Sequence, residues 1–233
     1  MSVDDWWIYT LWIVGAYLFG AIPVVYLIGR IRGVDLSKEE DMHISLWRNV
    51  GRIEGLIGVS WDVAKGGIAV VVVDRAFHLE PGLVAAVGLG VIVGEMWPMF
   101  LHFRGEKANT TGLGMAAALA YQAIPFLVVP IALGALIRTL PRFLDSRRTL
   151  DERLRFGGPP SYSLPLGMLF GFALFPLGCW VMGLPWGIIA AGIVLFALIV
   201  IKRLVTGLRE DLETGGNRRS ILVNRFLFDR SFL

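Results

Sequence analysis

Long apolar runs separated by short charged stretches dominate the chain, covering residues 6–29, 54–73, 81–103, 111–140, 163–182 and 185–201. A helix that crosses a bilayer needs about 20 mainly apolar residues, so these runs predict membrane spans. The first is too long for a signal-peptide core, has no basic residue before it and shows no cleavage site, and so reads as a retained span. The run 111–140 is long for one crossing and short for two. Pro125 disfavours a continuous helix, which predicts two short helices bending near residues 122–125. The expected fold is all-α, with seven transmembrane helices, some short or half-spanning. A single tilted span over 111–140 is the alternative.

Composition supports the pattern. Of 233 residues, 55% are hydrophobic and 18% charged, against about 45–50% and roughly 25% in soluble domains. A cytosolic enzyme, a coiled coil and a disordered regulator are thereby excluded. Cys179 is the single cysteine, so no disulfide framework exists.

The net charge is +3, and its placement is more informative. Apart from Lys65 and Arg75, all 22 basic residues fall in 30–52, 104–107, 138–155 or the tail from 202 onward. Lys- and Arg-rich loops stay cytoplasmic. The expected orientation has the N-terminus, with Asp4 and Asp5, outside and the C-terminus inside, and it requires an even number of crossings over 111–140. Trp6, Trp7, Trp97, Trp180 and Trp186 fall near predicted span ends, where an aromatic belt belongs. The expected organisation is one polytopic domain over 1–210 with a cytoplasmic loop at 142–160. A basic tail over 211–233 would suit anionic lipid better than nucleic acid.

Ionisable residues inside spans are costly and face protein or water rather than lipid. Asp62 and Lys65 are three apart, share a helix face and read as a structural ion pair. Glu95 is a candidate general base, a partner for a basic residue, or a side chain reaching the interface. The segment 103–112 places Arg104, Lys107 and Thr110 before a helix start, where N–H groups and the helix dipole favour an anion. It reads as a phosphate site or as an ordinary basic interfacial loop. Arg48, Asn49 and Arg52 could converge on the same anion. His43, His78 and His102 are scattered without metal-ligand spacing. Neither metal nor cofactor is expected. Glycine pairs such as Gly88/Gly90 and Gly112/Gly114 suit close helix packing.

Together these motifs resemble bacterial acyl-phosphate glycerol-3-phosphate acyltransferases, the PlsY family. The resemblance rests on Gly20-Ala21-Ile22-Pro23 with Tyr26 to Gly29, Asp62-Val63-Ala64-Lys65-Gly66, the stretch from Gly94 through Lys107, and Ile201-Lys202-Arg203-Leu204 with Gly207. It implies a bacterial plasma-membrane enzyme that transfers a fatty acyl group from acyl phosphate to glycerol 3-phosphate, giving lysophosphatidate for phospholipid synthesis. The implied partners are those two substrates and membrane lipids. Lys107 matches the lysine of the family's Gly-Gly-Lys-Gly segment, Asn49 and Arg52 match its Asn-Val-x-Arg, and Ser163 matches a serine of its third motif, which makes it a candidate catalytic residue.

Other positions depart from the family. Its glycine-rich first motif is replaced by residues 41–49, and the missing serine has only Ser45 or Asp41 as a substitute. Glu95 stands in its Gly-His pair, and Glu106 and Ala108 replace two glycines beside Lys107, adding negative charge where a phosphate is expected. Its late Arg-His-x-x-Asn is apolar here, over 196–200. The resemblance therefore implies an acyltransferase, with a non-catalytic lipid- or acyl-phosphate-binding relative, or a partner of an active paralogue, as the alternative.

Overall fold

The computed structural model describes residues 6–37, 39, 41–147, 149 and 162–231. Helices α1 (Trp6–Gly20), α2 (Val24–Ile31), α3 (Met42–Asn49), α4 (Arg52–Arg75), α5 (Pro81–Met96), α6 (Asn109–Leu119), α7 (Ile124–Leu144), α8 (Ser163–Val181), α9 (Trp186–Val205), α10 (Leu208–Glu213) and α11 (Arg218–Phe228) follow in order. No β-strand occurs among the described residues. Among the described residues six segments are long and apolar enough to cross a membrane: Trp6–Ile31, Arg52–Arg75, Pro81–Leu101, Tyr121–Leu144, Ser163–Val181 and Trp186–Val205. The protein is an all-helical, multi-pass membrane protein. Asp4, Asp5 and most of the 142–160 loop lie outside the described residues.

Two breaks shape the bundle. The first apolar run, expected as one helix, divides at Ala21–Pro23, where proline has no N–H to continue the ladder. The run 111–140 bends at a 3-10 turn over Tyr121–Ala123, with Pro125 in the first turn of α7. The two helices it joins are unequal, of 11 and 21 residues, and α6 is too short to cross alone.

α5 is the axis of the bundle. Of its apolar window 67% is buried, against 17% for Tyr121–Leu144, so the outer helices keep apolar faces for lipid. α1 and α4 pack on α5, α6 packs on α4, and α9 joins α5 to the α7–α8 pair. Glycines permit these approaches. A Cβ on Gly114 would overlap the Val63 carbonyl between α6 and α4, and one on Gly94 the Tyr17 carbonyl between α5 and α1. Small residues serve membrane helices in this way because lipid supplies no hydrophobic drive for association.

Candidate functional site

Polar and ionisable side chains gather where the middle of α4 meets α3, the end of α5 and the start of α6, with Lys202 and Arg203 near the end of α9 close by. Asp62 and Lys65, one helical turn apart on α4, are both buried, with Lys65 Nζ 2.6 Å from Asp62 Oδ1. Lys65 also lies 3.2 Å from Glu95 Oε2 on α5, and His43 Nε2 lies 2.9 Å from Asp62 Oδ2. Thr111 on α6 donates its hydroxyl to the Asp62 carbonyl at 2.9 Å. Two carboxylates, one ammonium, one imidazole and the Thr111 hydroxyl thus form a continuous network across four elements. His43 had no signal in sequence, because α3 must fold back on α4 before it meets Asp62.

Asp62, Lys65 and Glu95 line a half-open pocket, walled by the α1–α2 break at Ala21–Pro23, by Tyr26, and by Pro98, Gly105 and Glu106. Gly105 is required there, since a Cβ would overlap the Glu95 carbonyl. Among the described residues no group of three or more His, Cys, Asp or Glu is arranged to hold a metal ion.

Glu106 separates this pocket from a basic cluster. Its Oε1 accepts the Met42 N–H at 2.8 Å. Burial first, then the neighbouring Asp41 carboxylate, push its carboxyl up to about 8. Glu106 therefore takes up a proton more readily than an ordinary glutamate. The repulsion of a phosphate expected from its position beside Lys107 is correspondingly relieved. Beyond it, Lys202 interacts electrostatically with Glu106 and Lys107, and its ammonium donates to the Met96 carbonyl. Lys107 Nζ is 2.8 Å from Asp229 Oδ2. Arg203 is fully buried, donates to the Pro165 carbonyl at 3.2 Å and interacts electrostatically with Asp229.

The remaining sequence candidates spread around this cluster. Thr110 is in the first turn of α6, whose N-cap, Ala108, has φ +53°. The N–H groups of that turn have no acceptor within the helix. Asn49 and Arg52 flank the joint between α3 and α4 and are exposed, as is Arg104. Ser163 opens α8 two residues before Pro165, its carbonyl packed against Gly134 of α7. Neither substitute for the missing serine points at Lys107. Ser45 donates to Glu39 at 2.6 Å, and Asp41 caps α3 through the Ile44 N–H at 2.9 Å.

A family model described as glycerol-3-phosphate acyltransferase matches residues 10–207. The glycerol-3-phosphate acyltransferase of Trichlorobacter lovleyi is 39% identical over 116 residues, which is 48% of this chain and 59% of the relative. That of Thermus thermophilus is 37% identical over 127 residues, 53% of this chain and 63% of the relative. The matched stretch thus spans less than two thirds of either relative. In three dimensions the chain is similar to PlsY (YgiH), an integral membrane glycerol 3-phosphate acyltransferase. The TM-score is 0.67 to its glycerol 3-phosphate form and 0.65 to its lysophosphatidic acid form, with 22% identity and coverage of 89% of this chain and 93% of that one. That likeness concerns the fold.

Proposed function

The chain belongs to the glycerol-3-phosphate acyltransferase family, and from that premise we propose that it transfers a fatty acyl group from acyl phosphate to glycerol 3-phosphate. The glycerol hydroxyl oxygen attacks the acyl carbonyl carbon, the bond from that carbon to the phosphate oxygen breaks, and lysophosphatidate and inorganic phosphate leave. The hydroxyl proton ends on the departing phosphate. The observation that supports this most is the grouping of Lys107 with Lys202 beside the N-terminus of α6, with Arg203 joined to Lys107 through Asp229, inside the matched region. Three cations and the orphan N–H groups of a helix start suit a phosphate dianion.

In this reading Lys107 holds the glycerol 3-phosphate phosphate with the α6 backbone and Thr110, while Arg52, Asn49 and Arg104 supply further polar contacts at the mouth. Glu95 and Asp62 hold Lys65 rather than acting on substrate, and Ser163 is a polar contact at the start of α8. The basic loops face the cytoplasm, the N-terminus lies outside, and α6 counts as the seventh, half-spanning helix in a bacterial plasma membrane. Residues 1–210 form the membrane domain, and the 142–160 loop and the tail are cytoplasmic.

The test supplies reconstituted protein with acyl phosphate and glycerol 3-phosphate and follows lysophosphatidate by mass spectrometry together with phosphate release. Stoichiometric formation of both, lost in Lys107→Ala, is the expected result. Binding of acyl phosphate without turnover would instead favour a non-catalytic relative.

A further inference from the structure

The matched region ends at residue 207, and the chain then turns back toward the site. α11 packs on α8 and α9. Ile221 is fully buried, Arg225 binds Asp211 and the Thr206 carbonyl, and the Phe228 ring meets Tyr162 edge-on with centroids 4.8 Å apart. The helix stops at Asp229, which adopts a left-handed conformation with φ +62°, one that Asp tolerates better than most residues. This geometry aims the Asp229 carboxylate at Lys107.

Asp229 lies in an environment built for a larger anion. One carboxylate oxygen binds Lys107 at 2.8 Å, whereas the other is buried without a hydrogen-bond partner. Arg203 stands beside it with Nε and one terminal nitrogen also buried and unbonded. A planar monoanion leaves donor capacity unused that a phosphate, with more oxygens and more charge, could take up. Both Lys107 and Asp229 are mostly buried, at 20% and 17% side-chain exposure, and the carboxylate holds the ion-pair position on the Lys107 ammonium, so a phosphate taking that position displaces it.

We infer that the segment 208–229 is an internal competitor, a strap whose Asp229 carboxylate occupies the phosphate subsite and is displaced when glycerol 3-phosphate binds. The inference rests on the reading that Lys107 holds that phosphate. A strap that closes the site nine-tenths of the time weakens apparent affinity tenfold, because only the open fraction binds. Arg225 is the latch, since its contacts with Asp211 and Thr206 hold α11 in place.

The experiment measures binding of glycerol 3-phosphate, and of inorganic phosphate as a second probe, to the full chain and to Lys107→Ala, Asp229→Asn and Arg225→Ala. Hydrogen exchange over 218–229 is followed with and without ligand. Asp229→Asn is expected to bind about five- to tenfold more tightly, and Arg225→Ala to do likewise although it keeps the Asp229 charge and removes a positive one. Ligand should speed exchange over 218–229 in the wild type. Unchanged affinity in Asp229→Asn, or ligand-induced protection of α11, overturns the competitor and makes the strap a plain brace or a lid. Ligand binding by Lys107→Ala as tight as by the wild type overturns the phosphate reading itself. If Arg225→Ala does not fold, Asp229→Asn with its exchange profile decides alone.

Discussion

Replacing Lys65 by methionine tests whether the buried network holds the bundle together. Among the described residues Lys65 Nζ is the only cation within 4 Å of both Asp62 and Glu95, and all three side chains are at most 5% exposed. Its removal leaves two carboxylates facing each other between α4 and α5, with the His43 ring as the remaining side-chain neighbour of Asp62. Removing one partner of a buried pair costs about 3–5 kcal/mol, because an uncompensated charge remains. At roughly 2–4 °C per kcal/mol for a chain of this size, Lys65→Met should melt about 6–20 °C lower. Cys179 supplies the assay: it is the single cysteine and fully buried, so a thiol-reactive fluorogenic dye reports unfolding in detergent. Adding Glu95→Gln removes one of the stranded charges and should recover at least half of the loss. A Lys65→Met protein melting within about 2 °C of wild type, or a double variant less stable than the single one, would refute the network as a structural element.

Two further tests address the loop before α6. Ala108 holds a left-handed conformation at φ +53°, which costs a residue with a Cβ roughly 1 kcal/mol relative to glycine. Ala108→Gly should therefore raise the melting temperature by about 2–4 °C, and a fall would refute the strain. Glu106 gives a pH dependence. With its carboxyl at about 8 in the folded protein, the native state holds a proton that the unfolded chain has released above the ordinary carboxylate range. That stabilisation is complete at acid pH and is lost as pH rises through about 8. The melting temperature of wild type minus that of Glu106→Gln should fall between pH 5 and pH 9, and parallel curves would refute the shift.

The parts of the fold that a bilayer imposes were legible in the sequence. Apolar runs bounded by charge marked the six long segments, and Pro125 marked the bend that separates α6 from α7. The break at Ala21–Pro23 was hidden because hydropathy continues across it, although Pro23 carried the necessary signal. Lys107 was legible as a cation before a helix start. Its tie to Asp229, 122 residues away, was not, because no local pattern specifies a contact made by tertiary packing of a tail. The Asp62–Lys65 pair follows from helical spacing, whereas His43 and Glu95 join it only through the packing of α3 and α5 on α4.

The same packing explains why two departures from the family pattern belong together. Where the family has a glycine-rich segment, this chain forms α3, capped by Asp41 and anchored by Leu46, which is fully buried with Val25, Leu36 and Met42. A helix leaves its first four N–H groups without intrahelical acceptors. Asp41 satisfies the one on Ile44, and the one on Met42 is satisfied by Glu106, which replaces a glycine beside Lys107. Residues that look like separate losses of a phosphate-binding loop are thus the two halves of one contact. Restoring glycine at 106 alone would orphan the Met42 N–H, at a cost of about 1–3 kcal/mol for a buried unpaired donor. Reverting position 106 should therefore destabilise the protein unless the segment 41–49 is reverted with it.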